Sequence, residues 1–325
     1  MKLIQLKYFC GVVENGGFIA ASRELNVAQP ALSRQISELE SEIGCQLFFR
    51  GPGGTKITEA GQKFYLHARK ILGTVEFAQA DMQILPNQLT GEVTIALPVG
   101  MASQLAPLIV RGVERIHSAI SVKIEDGLGY QAGQAIDAGK VDFGIIANVG
   151  RLHNVTYDPI LEESLFLFTK RFDADPDTTS IDLAAIQDIE LIMPDRKVNV
   201  RRGLENAMIK IGGKLNVRYE QQSLLTIRSM VRAGIGATVM NWPSLSDLWK
   251  LGELDARIIV NPGLSRTVCL AVPNARPLTS SAAATYDIVK GVMETEIENG
   301  NWRGGQIVEN HDEFLSDDAL ITTTD

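Results

Sequence analysis

A change in hydrophobic periodicity near residue 90 divides this sequence into two parts that must fold differently. Before it, apolar residues recur with helical spacing, as in the set Leu6, Phe9, Cys10 and Val13. From Glu92 onward, short apolar strand-type runs alternate with helix-type segments, which is typical of parallel sheets flanked by helices. The 325 residues therefore predict an α/β multidomain protein, with a mainly helical N-terminal part and a larger α/β part.

The first 60 residues predict three short helices and a β-wing. Gly16 and Gly44 end the first and third helices, and Pro30 presets the first turn of the third. Two short strands on either side of the glycine-rich loop 50–55 form the wing. Helix, turn, helix and wing in this order are typical of a winged helix-turn-helix domain, which we assign to residues 1–58.

A heptad pattern in residues 59–90 predicts a long dimerising linker helix. Apolar residues alternate there in steps of four and three, and no proline interrupts them before Pro86. Such a helix cannot cover its own apolar stripe, so a partner helix is expected; the alternative is an amphipathic helix lying on its own domain. The predicted dimer seam consists of Phe64, Ala68, Ile71, Val75, Ala78, Met82 and Leu85.

Two successive sets of strands and helices predict a two-lobed regulatory domain over residues 91–300. We assign about 91–162 and 267–300 to lobe 1 and about 163–266 to lobe 2. A ligand site is expected between the lobes, where strands end and helices begin. Residues 301–325 carry one basic residue and six acidic ones, and we expect them to form an acidic, disordered tail.

Charge and composition argue against several classes of protein, including membrane proteins and metalloenzymes, but do not identify the function. The net charge of −8 argues against nucleic-acid binding, but residues 1–65 carry a charge of +1 and the tail carries −5. No apolar run approaches the ~18 residues of a membrane span, and no secretory signal is evident, so we expect a cytoplasmic protein without membrane contact. Three dispersed cysteines and four dispersed histidines offer no metal site, and no catalytic grouping is evident.

The N-terminal motif closely resembles that of LysR-type transcriptional regulators. The matching residues are Leu6-Lys7-Tyr8-Phe9, Ala20-Ala21, Leu25-Asn26-Val27-Ala28-Gln29-Pro30-Ala31-Leu32-Ser33-Arg34-Gln35-Ile36, Leu39-Glu40, Leu47-Phe48-Phe49-Arg50 and Thr58-Glu59-Ala60-Gly61. Weaker matches at Val141-Asp142-Phe143-Gly144-Ile145 and Val231-Arg232-Ala233-Gly234-Ile235-Gly236 extend the resemblance to about residue 299. Gln29-Pro30 and Pro98-Val99-Gly100 are most similar to the branch that regulates nitrogen or sulfur assimilation.

This resemblance implies an architecture, partners and a mode of action. It implies a winged helix domain, a dimerising linker and a two-lobed effector domain of the periplasmic-binding-protein type. Homodimers would assemble into homotetramers on an interrupted palindrome in double-stranded DNA and contact RNA polymerase. A small-molecule effector of unknown identity would bind in the interlobe cleft, and no cofactor or metal is implied.

The third helix and the wing supply the predicted DNA-binding residues. Arginine suits guanine, glutamine suits adenine, and basic or hydroxyl groups on a wing suit phosphates. The alternative is a solvated helix face with incidental polar residues. The predicted DNA-binding residues are Gln29, Pro30, Ala31, Ser33, Arg34, Ser37, Arg50, Thr55 and Lys56.

The resemblance and the predicted strand ends together nominate residues for effector binding. Backbone N–H groups at the helix start near Ser103 could hold an anion. The alternative is that these are turn residues shaped by the fold alone. The nominated residues are Val99, Gly100, Met101, Ser103, Gly129, Tyr130, Ala147, Asn148, Pro194, Arg196 and Asn241.

Taken together, these features predict a DNA-binding transcriptional regulator, not an enzyme, whose activity is controlled by a small molecule. The rival prediction is a two-lobed small-molecule-binding protein or enzyme with an unrelated N-terminal helical domain. A solute-binding protein needs neither the heptad seam nor the wing, and an enzyme should show a catalytic grouping.

Overall fold

The computed structural model describes residues 1–51, 54–82, 89–147, 152, 154–171, 179–274, 277–308 and 322–324. The chain separates into two compact units, an N-terminal one that ends with a long helix and a C-terminal one that follows it. Within the described residues, no helix is both long enough and apolar enough to cross a membrane.

The N-terminal unit is a winged helix-turn-helix domain followed by the long helix. Its elements are α1 (Leu3–Glu14), α2 (Phe18–Glu24), α3 (Gln29–Ile43), β1 (Phe48–Gly51), β2 (Gly54–Ile57) and α4 (Glu59–Met82). Pro30 lies in the first turn of α3, and Gly44 ends the helix in the left-handed conformation with φ of 80°. β1 and β2 pair antiparallel, as expected for a wing.

Three regularly spaced residues of α3 anchor this unit. Leu32, Ile36 and Leu39 are fully buried and share a core with Phe9 and Phe48, whose ring centroids lie 5.3 Å apart. Burial of this stripe leaves the opposite face of α3 exposed to solvent. The sequence periodicity of the third helix is therefore confirmed.

The first half of the predicted dimer seam packs inside the protein's own N-terminal domain. Ala68 is 0% exposed in the winged-helix core, and Phe64 contacts Phe9 with ring centroids 5.2 Å apart. Ile71 is half-buried against the same core. The prediction that Ala68 faces a partner is wrong, because its surface is already covered.

The second half of the seam is only partly described. Val75 is half-buried and Ala78 is exposed on α4. The side chain of Met82 and the whole of Leu85 lie outside the described residues.

The C-terminal unit is a two-lobed α/β domain. Its first lobe begins with β3 (Gly91–Pro98), α5 (Val99–Ile116), β4 (Ile120–Gly127), α6 (Gly129–Asp137), β5 (Phe143–Ala147) and the first half of β6 (Val155–Lys170). Its second lobe contains β7 (Ser180–Asp182), β8 (Leu191–Met193), α7 (Asn199–Lys210), β9 (Val217–Glu220), α8 (Leu224–Arg232), β10 (Thr238–Asn241), α9 (Ser246–Lys250) and β11 (Leu254–Val260). Two 3₁₀ helices, Leu183–Asp188 and Trp242–Ser244, complete the second lobe. β12 (Gly263–Pro273), α10 (Ser280–Glu298), β13 (Gly305–Ile307) and β14 (Thr322–Thr324) follow.

Two long antiparallel strands connect the lobes, in addition to the parallel strand pairs that the sequence pattern predicts. β3 pairs in parallel with β4 and β5, but β12 runs antiparallel to both β5 and β6. The first half of β6 pairs with β12, and its second half pairs with β10 and β11 in the second lobe. β6 therefore passes from one lobe into the other.

Residues 301–308 belong to the folded domain, which corrects the predicted disordered tail at 301–325. Trp302 is 1% exposed, and β13 pairs with β6 through Gly305 and Glu163. Farther along, β14 pairs with the start of β12. The sequence prediction failed because a single large aromatic residue and a three-residue strand give almost no periodic signal.

Truncation after Gly300 should destabilise the C-terminal unit, because it removes the buried Trp302 and strand β13. Loss of a buried tryptophan side chain costs about 3–5 kcal/mol of unfolding free energy. Truncation after Val308 keeps both features and serves as the control. Thermal and urea unfolding of the two truncated chains measure the difference; equal midpoints would contradict the docked position of residues 301–308.

Candidate functional site

The exposed face of α3 carries most of the predicted DNA-binding residues. Gln29, Pro30, Ala31, Arg34 and Ser37 are exposed, while Ser33 is half-buried. These residues lie in the first turns of the helix, where unpaired backbone N–H groups give a partial positive charge. The arrangement suits entry of the N-terminal half of α3 into a groove of DNA.

Arg34 is held near this face by a weak surface ion pair. Its Nε lies 2.9 Å from Glu38 Oε1, and its side chain is 81% exposed. Gln35 Nε2 also donates to Glu38, at 3.0 Å. Because such exposed pairs contribute ~0–1 kcal/mol, the guanidinium can leave Glu38 for a base edge or a phosphate.

Glu40, which belongs to the N-terminal motif, connects α3 to the wing through two hydrogen bonds. Glu40 Oε1 accepts hydrogen bonds from the backbone N–H groups of Leu47, at 2.8 Å, and Phe48, at 3.1 Å. On the wing itself, Lys56 is exposed and Thr55 is half-buried. The side chain of Arg50 lies outside the described residues. Glu40 thus sets the position of the wing relative to the exposed face of α3.

The Thr58–Gly61 motif joins the wing to α4 in a way that explains its residue types. Thr58 Oγ1 donates to the Gln46 carbonyl at 2.8 Å and accepts from the Gly61 N–H at 2.9 Å. A Cβ at Gly61 would lie 2.2 Å from the Leu47 carbonyl oxygen, so only glycine fits. This part of the motif is structural.

The second candidate site is a cavity between the two lobes of the C-terminal unit. It encloses about 690 Å³ of space free of protein atoms, part of it open to solvent. Eight of the nominated effector residues line it, namely Val99, Gly100, Met101, Gly129, Tyr130, Ala147, Pro194 and Asn241. Most of the lining is apolar, with a few polar groups, as is usual for a small-molecule site.

Three nominated effector residues are not among the lining residues. Ser103 is exposed on α5, because two further helical residues turn it away from the cavity-lining Met101. Arg196 is exposed, and its Nε lies 3.1 Å from Glu205. The prediction of a role for Ser103 and Arg196 in the cavity is therefore wrong, and Asn148 lies outside the described residues.

Sequence reasoning missed most of the second lobe's contribution. The starts of α7 and α8 supply Val198, Asn199, Val200, Gln222, Leu224 and Ile227, and the rest of the lobe supplies Met240, Ser244 and Arg266. Pro98, Gly127 and Leu128 complete the lining in lobe 1. The helix-type segments that begin near residues 200 and 225 are the sequence signal that points to the first six residues.

Four helix N-termini converge on the cavity, and three of them have N-cap residues that cannot accept a hydrogen bond through the side chain. The N-cap residues of α5, α6 and α7 are Pro98, Leu128 and Val198. At α8 the N-cap side chain does accept, since Ser223 Oγ accepts from Thr226 N at 3.4 Å, and at α6 the Gln131 side chain accepts from the Leu128 N–H at 2.9 Å. An anion in the cavity would meet the positive ends of these helices, and at α5, α6 and α7 no N-cap side chain competes with it as an acceptor.

A buried ion pair forms one wall of the cavity. Arg266 lines the cavity and donates to Glu163 Oε1 through Nε, at 2.7 Å, and Nη2, at 2.6 Å. Glu163 is 0% exposed, and its Oε2 accepts from Trp302 Nε1 at 3.0 Å and from Asn241 Nδ2 at 3.4 Å. The charge of Arg266 is thus balanced within the protein.

Hydrogen bonds also cross the cavity from lobe to lobe. Asn199 Nδ2 at the start of α7 donates to the Ala147 carbonyl at 3.4 Å. Ser244 Oγ donates to Asn241 Oδ1 at 2.5 Å and lies 3.5 Å from the Gly100 carbonyl. A Cβ at Gly100 would lie 2.3 Å from Ser244 Oγ, so glycine lets α5 approach the second lobe.

Neither metal chemistry nor a reactive thiol is evident in the described part of this unit. Among the described residues, no group of three or more His, Cys, Asp or Glu side chains could hold a metal ion. Burial raises the pKa of the Cys269 thiol to about 12, whereas a reactive cysteine needs a lowered pKa. Asp142 is structural, since its Oδ2 accepts from Thr94 N at 2.8 Å and its own N–H donates to Thr94 O at 2.9 Å.

Two protein families match the two units of the chain. The family described as "LysR substrate binding domain" matches residues 86–294, and "Bacterial regulatory helix-turn-helix protein, lysR family" matches residues 3–62. The two matched ranges contain α3 with its exposed face and most of the two-lobed domain. The segment after residue 294, including Trp302, lies beyond the matched range.

Similar proteins span nearly the whole chain. The nitrogen assimilation regulatory protein nac of Klebsiella aerogenes is 29% identical over 92% of this chain and 98% of its own length. A hydrogen peroxide-inducible genes activator of Haemophilus influenzae is 26% identical over 90% of this chain and 99% of its own.

Solved structures with this fold also cover most of the chain. Full-length OxyR from Pseudomonas aeruginosa, in a variant with one cysteine replaced by aspartate, has a TM-score of 0.75 at 21% identity, covering 96% of this chain and 99% of that one. Full-length CbnR complexed with its target DNA has a TM-score of 0.53 at 20% identity, covering 90% of this chain and 99% of that one. At these identities the likeness concerns the fold alone.

Proposed function

Because the chain belongs to the LysR family of transcriptional regulators, which bind DNA and respond to small-molecule effectors, we propose that an anion in the interlobe cavity controls its binding to DNA. The observation that carries the proposal is the convergence of four helix N-termini on that cavity. Regulation at a promoter implies a cytoplasmic location and contact with RNA polymerase. The protein acts as a regulator and not as an enzyme.

DNA recognition is assigned to α3 and the wing. Gln29, Ala31, Ser33, Arg34 and Ser37 read base edges or adjacent phosphates from the helix, while Pro30 fixes its first turn. Arg50, Thr55 and Lys56 contact phosphates from the wing. The exposed face of α3 and the weak hold of Glu38 on Arg34 support this division of roles.

The protein forms dimers through α4. These dimers bind an interrupted palindrome and assemble further into tetramers. Phe64 and Ile71 are half-buried by their own domain, so the contact is centred on Val75 and the residues that follow it. Two recognition helices held by one dimer would reach two half-sites about one helical turn of DNA, or a multiple of it, apart.

The effector is a small anion with an apolar body. The helix ends at Pro98, Leu128 and Val198 attract negative charge, while apolar side chains such as Met101 and Ile227 exclude water from the rest of the molecule. Arg266 orients the anion without binding it alone, since Glu163 already neutralises its charge.

A peroxide sensor is the second candidate function, suggested by the Haemophilus influenzae relative. Cys269 argues against it, because its raised pKa keeps the thiol protonated. A cavity lined by helix ends suits binding of a molecule better than oxidation of a side chain.

Arg34→Ala should relax sequence preference, whereas Lys56→Ala should weaken binding to every sequence. An arginine–guanine pair discriminates by ~1–3 kcal/mol, and one lost phosphate contact lowers the log–log salt slope by about one unit. Binding is titrated on a duplex selected from a random pool and on its scrambled version, over a series of salt concentrations. Lys63→Ala, which removes an exposed lysine paired with Glu59 at 2.9 Å, is the matched control. If Arg34→Ala distinguishes the selected duplex from its scrambled version as well as the wild type does, Arg34 does not recognise bases.

Val75→Glu should shift the protein toward monomers, since a charge buried against a partner helix is unfavourable. Thr74→Glu adds the same charge at the neighbouring exposed position and should leave assembly unchanged. Sedimentation velocity over a range of protein concentrations compares the two variants. An unaltered oligomer in Val75→Glu would rule out a contact at this position.

Small carboxylates should raise the thermal unfolding midpoint, and their neutral amides should not. Acetate, succinate and benzoate are compared with acetamide, succinamide and benzamide at equal ionic strength; a ligand at 100 times its Kd stabilises by about 2.7 kcal/mol. In Gly129→Leu the shifts should disappear, because a Cβ at this cavity-lining position meets no protein atom within 4 Å and the larger side chain would take up space that the anion needs. Equal shifts from acids and amides would contradict an anion site.

A further inference from the structure

The segment after α10, residues 301–307, lies across the point where β6 passes between the lobes. We call these residues the C-terminal strap. Gly305–Ile307 of the strap pairs with β6, and the Ser164 N–H donates to the Gly304 carbonyl at 2.8 Å. The strap lies beyond the family match, which ends at residue 294.

The strap also bonds to the second lobe. Trp242 Nε1 donates to the Asn301 carbonyl at 2.8 Å. The guanidinium carbon of Arg303 lies 5.0 Å from the ring centroid of Trp242 and 4.8 Å from that of Trp249, within the range of cation–π attraction. The strap therefore contacts elements of both lobes.

A second buried glutamate, Glu296, ties the strap to α5. Asn301 Nδ2 donates to Glu296 Oε1 at 3.1 Å, and Gln104 Nε2 donates to Glu296 Oε2 at 2.8 Å. Gln104 in turn accepts from Ser246 Oγ of the second lobe at 3.2 Å. Both lobes and the strap thus meet in one polar network.

Glu163 links the strap to the cavity through hydrogen bonds. Its Oε2 accepts from Trp302 at 3.0 Å and from the cavity-lining Asn241 at a longer 3.4 Å, while its Oε1 is held by the cavity-lining Arg266. A fully buried carboxylate is costly unless its oxygens are hydrogen-bonded. Without the indole N–H, Glu163 would have to draw Asn241 closer or shift its pairing with Arg266.

We propose that Trp302 is a positioning residue of the effector cavity, acting through Glu163 on Asn241 and Arg266. The inference rests on the proposed effector site and adds to it a control element outside the two lobes. A shift of Asn241 would also move Ser244, its hydrogen-bond partner beside Gly100, and so alter the contact between α5 and the second lobe. The indole N–H thereby sets the geometry that an effector meets.

The test is amide hydrogen exchange by mass spectrometry on the full-length protein, without effector or DNA. Trp302→Phe removes the N–H donor together with the five-membered part of the indole, and it keeps a six-membered aromatic ring. Exchange should speed up about tenfold in the peptides that contain Thr238–Ser244 and Gly263–Val268, because a lost hydrogen bond to a charged group costs at least that factor in local opening. The matched control is Trp249→Phe, which makes the same replacement at a tryptophan that contacts Arg303 of the strap but does not bond to Glu163.

Two further outcomes separate positioning from a purely structural role. If Trp302 only anchors the strap, faster exchange will be confined to the end of α10 and β13, and the inference is overturned. If Trp302 acts through Glu163, the double variant Trp302→Phe/Glu163→Gln should show the same amide exchange in Thr238–Ser244 and Gly263–Val268 as Glu163→Gln alone. Faster exchange in the double variant would also overturn the inference. The exchange experiment uses no effector. If the expected pattern of exchange is not found, the comparison of carboxylates with amides still tests the proposed function separately.

Discussion

The buried carboxylate of Glu163 is the constraint on which the two-lobed domain depends. It lies on β6 at the crossing between lobes, and a charge there is tolerable only because Arg266, Trp302 and Asn241 satisfy both oxygens. The three donors come from β12, the C-terminal strap and the end of β10. One ionised group therefore fixes three chain segments that are far apart in sequence, and two of its donors line the cavity.

Helix starts from both lobes meet at the cavity. α5, α6 and α7 begin after proline, leucine and valine, whose side chains cannot accept a hydrogen bond. α2 and α3 of the N-terminal unit also lack an N-cap side-chain hydrogen bond, so it is the convergence of the helix starts that distinguishes the cavity. An anionic effector would complete these helix ends from both lobes at once, and thereby favour one arrangement of the lobes over another.

The N-terminal unit uses a simpler principle. Burial of one apolar stripe of α3 exposes the opposite polar stripe, and Glu40 fixes the wing beside it. The same packing explains why part of the heptad pattern in α4 serves the domain's own core. An apolar stripe indicates that a helix face is buried but not which surface buries it. Ala68 is buried by the core of its own winged-helix domain.

The sequence predicts the order of the winged helix-turn-helix domain, the long helix and the two-lobed domain. It also predicts the exposed face of α3 and eight residues of the cavity lining. They follow from periodicity, glycine and proline positions and the rule that ligands bind where strands end, all of which are local properties. Three features emerged only from the folded chain: β6 and β12 run antiparallel between the lobes, Ser103 turns away from the cavity, and Trp302 bonds to Glu163 from 139 residues away. Strand pairing and a buried hydrogen bond depend on which distant segments meet, and no periodic pattern within one segment carries that information.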